Sequence, residues 1–435
     1  MKFLLKNGLI WFKSGFRKQD ILIENQKIVE ISDNINSLYT QEIDCTDCYV
    51  IPGVIDLHVH TGEPIKDLLL AEEESITTIS SLKGGVTSIG TFITETVKDS
   101  IKESYPNRKK RFYRLPITTR WHLTPVVTKL SQLKDLLIQD CDIKLYTTYK
   151  EAGIYSSYKR ISEMMIYLKG LGLRMKREPV RILIHCEDNT IIEEKRQSIP
   201  FDKPFTYTLR RPEIAEIKAV DEVLNLAVKH NYPLHIVHVS SPESALLIKE
   251  AKKSAPVTCE TAPQYLFLNE EILLKKNGHR WLCTPPLRSE RSRGKMVELA
   301  QEGIFDAFAS DHCPFAVYDK DRYASEPDKV PMGLPGVGAL LPLLYEGLVA
   351  SGKMSLSTLI THLTTNPARI LNIYPEKGII QENSDADLVI FKIIEEEKSA
   401  QVQPTVAIAH NPWADRQTSL SIKKVLVKGK LMVDL

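Results

Sequence analysis

Histidines and one aspartate close several short apolar segments of this chain, and their side chains are suited to binding metal. His58 and His60 end VIDLHVH, His185 ends VRILIH, His238 ends PLHIVH and Asp311 ends FDAFASD. A buried imidazole or carboxylate needs a polar partner, and one shared metal centre would satisfy all of these groups. Imidazole and carboxylate suit zinc best, and also iron or manganese. The pattern therefore predicts a metal site.

Lys144, within CDIKLYTTY, is a sixth polar residue at a comparable position. A protonated lysine would repel cations, so two interpretations stay open. In the first, Lys144 lies along the apolar surface and keeps its ammonium group in water. In the second, it is buried and neutral and takes up CO2 as a carbamate, whose two oxygens can bridge two metals. The spacing alone does not choose between them.

The elements that must position these residues are strands. In VIDLHVH the apolar side chains alternate with Asp56, His58 and His60, so the two imidazoles share one face. Such strands alternate with amphipathic helical segments through the middle of the chain. This alternation predicts an α/β fold, most simply a parallel (β/α)8 TIM barrel, whose catalytic groups lie at the carboxyl ends of the strands.

Both ends of the chain are rich in strand patterns and poor in helix patterns. Since chain termini often lie close together, residues 1–50 and 376–435 are predicted to form one small β-sandwich domain, and residues 51–375 the barrel. The first residues, MKFLLKNGLIWF, are predicted to be two short strands with a turn at Asn7-Gly8. A signal peptide is disfavoured because Lys6 and Asn7 interrupt the apolar run.

Composition excludes some classes of protein. The 435 residues include 57 Lys and Arg against 55 Asp and Glu, a net charge of +2, which gives no basis for a nucleic-acid partner. No apolar run approaches the roughly 20 residues of a membrane helix. There are seven cysteines, and the single C-x-x-C, Cys45 and Cys48, lacks a second pair and is interpreted as structural. A reducing, cytoplasmic compartment is predicted.

Several motifs together resemble a known family. PGVIDLHVH, HCED, CETAPQYLFL, TPPLRSE, SDHCPF, GLPGVGALLPLL and DADLVIF are similar, in this order, to the cyclic-amide branch of the amidohydrolase superfamily. That branch contains dihydroorotases, hydantoinases, dihydropyrimidinases and allantoinases. The resemblance extends from the region of Cys45 to the C-terminus, and it implies a metal-bearing barrel with a small β-sandwich domain from both termini.

The resemblance also implies roles for the six polar residues of a two-metal site. They are His58 and His60 for the more buried metal, Lys144 as a carboxylated bridge, His185 and His238 for the second metal, and Asp311 as a further ligand. Two divalent cations, zinc by expectation, would share a hydroxide that attacks the amide carbon of a small cyclic amide or ureide. Asp311 would pass its proton to the leaving ring nitrogen, and the same site could close the ring in reverse.

The motifs do not all indicate the same substrate. The motif set as a whole is nearest to dihydroorotases, so a dihydroorotase-like activity is the main hypothesis. Dihydroorotases, however, carry a carboxylate-binding arginine where this chain has Gly62, and Glu63 would repel a carboxylate if it faced the pocket. Thr284 likewise stands in place of an asparagine. Arg120, Arg210 or Arg288 could compensate for the missing arginine.

An alternative is a hydantoinase-, dihydropyrimidinase- or allantoinase-like activity. Tyr149 lies five residues after Lys144, as in the hydantoinase pattern, where the tyrosine helps to hold the oxyanion; an ordinary strand aromatic is the other interpretation. Met332 stands where hydantoinases tend to have asparagine. His312 is predicted to orient Asp311 or the substrate.

A different class of function is a non-catalytic scaffold with the same fold. Such relatives usually lose metal ligands, whereas all six matching positions are filled here, which favours an enzyme. His122, in TTRWHLTP, is assigned no role, and His235 is interpreted as structural because it lies on the opposite strand face from His238. The resemblance also leads us to expect a homo-oligomer.

Overall fold

The computed structural model describes residues 2–36, 38, 41–62, 64–65, 68–69, 72–95, 100–132, 134–137, 141–407 and 409–435. Glu63 lies outside these residues. The strands, in chain order, are β1 (Lys2–Phe12), β2 (Gly15–Glu24), β3 (Lys27–Ser32), β4 (Gln41–Asp44), β5 (Tyr49–Pro52), β6 (Val54–Val59), β7 (Pro64–Ile65), β8 (Leu68–Leu69), β9 (Val86–Thr94), β10 (Thr118–Thr124), β11 (Cys141–Tyr146), β12 (Ile182–His185), β13 (Leu234–Ile236), β14 (Val257–Thr261), β15 (Ala307–Phe308), β16 (Leu388–Ile393), β17 (Ala400–Gln401), β18 (Gln417–Thr418), β19 (Leu420–Val427) and β20 (Lys430–Asp434).

The helices, in chain order, are α1 (Glu74–Lys83), α2 (Ile101–Phe112), α3 (Lys134–Leu137), α4 (Tyr158–Met175), α5 (Asn189–Ser198), α6 (Thr206–Arg210), α7 (Glu213–His230), α8 (Pro242–Ala251), α9 (Pro263–Phe267), α10 (Glu290–Gln301), α11 (Val317–Asp321), α12 (Leu340–Leu344), α13 (Leu356–Leu363) and α14 (Thr365–Ile370). No helix of the described ranges is both long enough and apolar enough to cross a membrane.

Eight strands form the barrel in the order β6-β9-β10-β11-β12-β13-β14-β15, and each neighbouring pair is parallel. Backbone hydrogen bonds join the first strand to the segment after the last one. The amide of His60 donates to the carbonyl of His312 at 2.8 Å, and the amide of His312 donates to the carbonyl of His58 at 3.2 Å. The predicted barrel is confirmed, and its closure lies directly beside the paired histidines.

Strand β10 was not among the strands predicted from the sequence, where His122 in TTRWHLTP was assigned no role. Its outward side chains, Trp121 and Leu123, belong to the main hydrophobic core. Its inward side chains, Arg120, His122 and Thr124, are buried and polar. This polar inward face hides the strand from a search for apolar runs, although barrel interiors do hold such side chains.

The strands of both termini form one eight-stranded sheet in the order β20-β19-β16-β5-β1-β2-β3, with β4 paired to β1. Ile21 and Val50 from the first segment share a hydrophobic core with Leu388 and Leu426 from the last. A small β domain built from both termini is therefore confirmed, with its strands in one continuous sheet. Its exact limits, 1–50 and 376–435 against 51–375, stay a prediction.

The predicted turn at Asn7-Gly8 is wrong, since β1 continues through it. The register against β2 shifts between Leu5 and Gly8, and Asn7 has a positive φ of 63°. The Asn7 amide donates to Asp20 Oδ1 at 2.9 Å. This bulge absorbs the polar residues without ending the strand.

Candidate metal centre

Three predicted ligands converge where the barrel closes. His58 lies in β6 and His60 directly follows it, while Asp311 follows β15. Oδ1 of Asp311 is 3.3 Å from Nε2 of His58 and 3.9 Å from Nε2 of His60. One ligand atom from each of the three residues lies within 4.8 Å of the others, a spacing that a single cation can span.

A second pair of predicted ligands faces the first group. Nδ1 of His185, at the end of β12, is 2.9 Å from Nε2 of His238. The His58 and His238 ring centroids are 5.2 Å apart, so the two groups form one cluster. His238 enters the barrel because β13 ends at Ile236 and its own φ is 38°.

Lys144 lies inside the barrel with 1% of its side chain surface exposed. Its Nζ has no hydrogen-bond partner among the described residues and lies 5.2 Å from the ring centroid of Phe92 and 5.4 Å from that of Tyr146. Burial lowers the pKa of Lys144 to about 7, against the opposing charges of Glu260 and Asp311. The interpretation as a lysine that keeps its charge in surface water is therefore wrong.

The structure adds a carboxylate that sequence reasoning missed. Oε1 of Glu260, in β14, lies 2.7 Å from Nδ1 of His58, and Oε2 lies 3.1 Å from Nε2 of His235. Burial raises the pKa of Glu260 to about 8, opposed by Lys144. His235 thus also faces the barrel interior and supports Glu260. The signal was present in VTCET, where Thr258 and Glu260 alternate with apolar residues.

A second carboxylate was also missed, although the motifs that contain it were noted. Glu187 Oε2 lies 2.6 Å from Nε2 of His185, and Nε of Arg211 donates to both Glu187 oxygens at 3.0 and 3.2 Å. Burial raises the pKa of Glu187, but Arg211 and His185 outweigh it and lower the pKa to about 2. Asp188 then caps α5 by accepting from two backbone amides, which fixes the turn of HCED.

Two predicted substrate residues lie on the His185 side of the cluster. The ring centroid of Tyr149 is 5.2 Å from that of His185, and Tyr149 has a positive φ of 65°. Burial raises the pKa of Tyr149 well above its usual value, so its hydroxyl keeps its proton. Oγ1 of Thr284 is 2.6 Å from the hydroxyl of Tyr207.

Gly62, the third predicted substrate residue, has a backbone that favours glycine. Its φ is 59°, and a Cβ atom built on it would lie 2.3 Å from Oε1 of Glu74. The same oxygen is 3.1 Å from Nε of Arg111 and 3.5 Å from Nε of Arg108. A larger side chain is therefore excluded at position 62 unless this carboxylate moves.

His312, the fourth, is fully buried and both ring nitrogens have partners. Nδ1 accepts from the amides of Gly336 and Val337 at 3.0 and 3.2 Å, and Nε2 lies 3.1 Å from Oε2 of Glu72. These contacts hold the backbone next to Asp311. They leave neither nitrogen free for a substrate.

Known proteins resemble this chain over nearly its whole length. The model of the amidohydrolase family matches residues 49–432. The chain belongs to the amidohydrolase family. Among curated proteins it is similar to a D-hydantoinase of Ralstonia pickettii, 28% identical over 448 residues that cover 100% of this chain and 95% of the relative. A D-phenylhydantoinase of Escherichia coli O1:K1 is 27% identical, and the match covers 99% of this chain and 94% of the relative.

Solved structures of this amidohydrolase group agree with the barrel described above. The dihydropyrimidinase of Brevibacillus agri NCHU1002 has a TM-score of 0.91 and 26% identity, covering 100% of this chain and 95% of its own. A D-hydantoinase of Bacillus sp. AR9 has a TM-score of 0.92 and 26% identity, covering 99% and 95%. These relatives favour the hydantoinase and dihydropyrimidinase alternative over the dihydroorotase-like main hypothesis.

The residues of this amidohydrolase fit divalent metal ions. Nδ1 of His185 and Nε2 of His238 face each other at 2.9 Å, a distance at which two ring nitrogens share either a proton or a cation. The other nitrogens of His58 and His185 face carboxylates, as is usual for ligating histidines. The Nζ of Lys144 is a buried polar atom that none of the described residues satisfies.

Proposed function

We propose that this chain hydrolyses a small, uncharged cyclic amide or ureide, in the manner of hydantoinases and dihydropyrimidinases. It would use two divalent metal ions, zinc by ligand type. The proposed ligands are His58, His60, His185, His238, Asp311 and Lys144, the last as a carbamate. The observation that carries the proposal is their meeting at the carboxyl ends of the barrel strands, where such enzymes place their chemistry.

The metal ions would supply Lewis acidity, making a water more acidic and the substrate carbonyl more electrophilic. Asp311 is placed to move a proton, because burial raises its pKa and its Oδ1 faces the histidines. It would accept the proton of the attacking water and deliver it to the ring nitrogen that leaves. Tyr149, which keeps its proton, would donate a hydrogen bond to the oxyanion.

The preference for an uncharged ring comes from the wall beside the paired histidines. At Gly62 this wall holds the buried carboxylate of Glu74, and the nearby arginines are engaged with it. Arg108 also donates to the Thr61 carbonyl at 2.5 Å. A substrate carboxylate placed here would meet another carboxylate, which costs binding energy.

The three arginines that could replace the missing one are engaged elsewhere. Arg288 donates to Ser240 Oγ, the Arg211 carbonyl and Glu216. The guanidinium of Arg210 lies 5.1 Å from the ring centroid of Phe201. Arg120 lies within β10, where its positive charge acts to lower the pKa of Asp142 against the effect of burial. These placements support a ring without a carboxylate over dihydroorotate.

The test is metal analysis and turnover on protein purified without chelator. We expect about two metal ions per chain, and hydrolysis of hydantoin or dihydrouracil at least about tenfold more efficient than turnover of dihydroorotate or carbamoyl-aspartate. Allantoin completes the panel. Protein without metal would reject the proposal. Turnover confined to dihydroorotate and carbamoyl-aspartate would reject the uncharged ring, and a metal-free protein that turns over no ring would favour the scaffold.

We also propose a reducing, cytoplasmic setting, since all seven cysteines are free and buried thiols. The partner is a small molecule, with neither nucleic acid nor membrane required. A homo-oligomer remains an expectation from the family resemblance.

A further inference from the structure

The buried ion pair between Glu187 and Arg211 touches both sides of the candidate site. Glu187 is fully buried and Arg211 is 5% exposed. Nε of Arg211 donates to both Glu187 oxygens, and Nη2 also donates to Oε2. Such a two-point contact between guanidinium and carboxylate fixes geometry as well as charge.

At one end, this pair determines which nitrogen of His185 carries hydrogen. A carboxylate paired with arginine can only accept hydrogen bonds, so Nε2 of His185 must donate to it across 2.6 Å. Nδ1 then carries the lone pair, and this is the atom that faces His238. The ion pair therefore leaves the nitrogen that faces the metal site unprotonated.

At the other end, the same guanidinium lies against two tyrosines. Cζ of Arg211 is 5.1 Å from the ring centroid of Tyr149 and 5.8 Å from that of Tyr207. Tyr149 has the uncommon positive φ of 65°, a conformation that surrounding contacts must stabilise. Lysine reproduces such a contact between a guanidinium and an aromatic ring poorly.

We propose that Glu187 and Arg211 are positioning residues that hold, from one buried ion pair, both the ligand nitrogen of His185 and the ring of Tyr149. This inference rests on the proposed function. It assigns two separable tasks, because Glu187 acts through His185 and Arg211 acts through Tyr149 as well.

Glu187→Gln tests the first task. Its amide has the size of the carboxylate but can present NH2 to Nε2, which favours the wrong tautomer of His185. We expect the affinity of the chelator-stripped protein for Co²⁺, measured by competition with a chromophoric chelator, to fall about 10- to 100-fold. The visible spectrum of the bound Co²⁺ should change as well, since a ligand nitrogen is altered.

Arg211→Lys tests the second task. The lysine keeps the positive charge beside Glu187 but loses the planar guanidinium that lies over the Tyr149 ring. We expect Co²⁺ affinity within about threefold of the wild type, together with a kcat about 10- to 100-fold lower from misplacement of the tyrosine. An unchanged kcat would show that Arg211 does not position Tyr149.

Glu216→Gln is the matched control, since Glu216 and Arg288 form another buried pair 3.2 Å apart. Their hydrogen bonds run to Ser240, Ser241 and the Arg211 carbonyl. We expect Co²⁺ affinity within about threefold of the wild type. An equal loss in Glu216→Gln and Glu187→Gln would overturn the proposal, as would wild-type affinity in Glu187→Gln.

The metal titration needs no substrate, so a wrong substrate class leaves this test intact. Wild-type protein that binds no Co²⁺ would reject the proposed function. Wild-type protein that binds Co²⁺ while both glutamine variants bind it equally well would reject only the positioning role.

Discussion

Two buried lysines, one in the barrel and one under the terminal sheet, lie in opposite environments. Lys144 is 1% exposed and its Nζ has no hydrogen-bond partner among the described residues. Lys377 is 5% exposed, and its Nζ lies 2.8 Å from Oδ2 of Asp385 and 2.5 Å from Oδ2 of Asp387. The two lysine ammonium groups are thus buried to a similar extent, but only that of Lys377 has carboxylates in direct contact.

The pKa values of the two groups diverge accordingly. Burial lowers the pKa of Lys144 to about 7, and the carboxylates near it do not offset this. For Lys377 burial also acts to lower the pKa, but Asp387 and Asp385 outweigh it and raise the pKa. A charge that the fold itself neutralises contributes to structure. A polar atom left without a partner costs stability and is retained where another species binds.

The largest expected effect comes from Lys144→Met. The thioether fills the volume but cannot form a carbamate, so we expect turnover to fall at least about 10³-fold and the metal content to drop. Both are measured on the same preparation, by steady-state kinetics and by elemental analysis.

The folding control for this variant is the free energy of unfolding of chelator-stripped protein. It should stay within about 1 kcal/mol of the wild type or increase, since Lys144 makes no hydrogen bond to a described residue and its burial is uncompensated. A loss of several kcal/mol with unchanged metal content would make Lys144 a structural lysine like Lys377.

Lys377→Met should have a smaller effect, and it should lower stability while leaving turnover unchanged. This change leaves Asp385 and Asp387 without their shared cation, so the free energy of unfolding should fall by about 3 kcal/mol. Turnover per folded molecule should stay as in the wild type. Denaturant unfolding and kinetics on the soluble fraction measure the two quantities.

Lys27→Met is the matched control for Lys377→Met. Nζ of Lys27 also contacts Asp385, at 2.6 Å, but the lysine is 40% exposed. Its removal should cost below about 1 kcal/mol because solvent screens an exposed pair. Equal losses in the two variants would show that burial does not distinguish these lysines.

The comparison also separates what the sequence could predict from what it could not. His58 and His60 were predictable because the period of a strand places them on one face, and the closure beside Asp311 follows from the barrel. The burial of Lys144 was not predictable, since CDIKLYTTY is compatible with either environment. Only the barrel brings this side chain against Phe92 of β9, whereas Tyr146 is its neighbour on the same face of β11.

The supporting carboxylates were missed for a related reason. Glu260 and His58 are 202 residues apart, and their contact exists only because β6 and β14 line one barrel. His235 was placed on the wrong face because the strand was taken to continue to His238, whereas it ends at Ile236. Glu187 stood in the HCED motif, but its pairing with Arg211 depends on how α6 and α7 return to the barrel mouth.

The last expected effect is the pH dependence of the free energy of unfolding in Asp385→Asn. Burial acts to raise the pKa of Asp385, but Lys377 and Lys27 outweigh it, so the pKa is lowered in the folded protein. A lowered carboxyl pKa contributes stability above its unfolded value and loses it as pH falls through the folded value. The asparagine variant should therefore be less stable by about 1–2 kcal/mol near neutral pH, and the difference should shrink below about pH 4. Unfolding of both proteins between pH 3 and 7 measures this. A difference that stays constant or grows toward acid would mean that Lys377 is not compensated by an ionised Asp385, and the contrast with Lys144 would then rest on Asp387 alone.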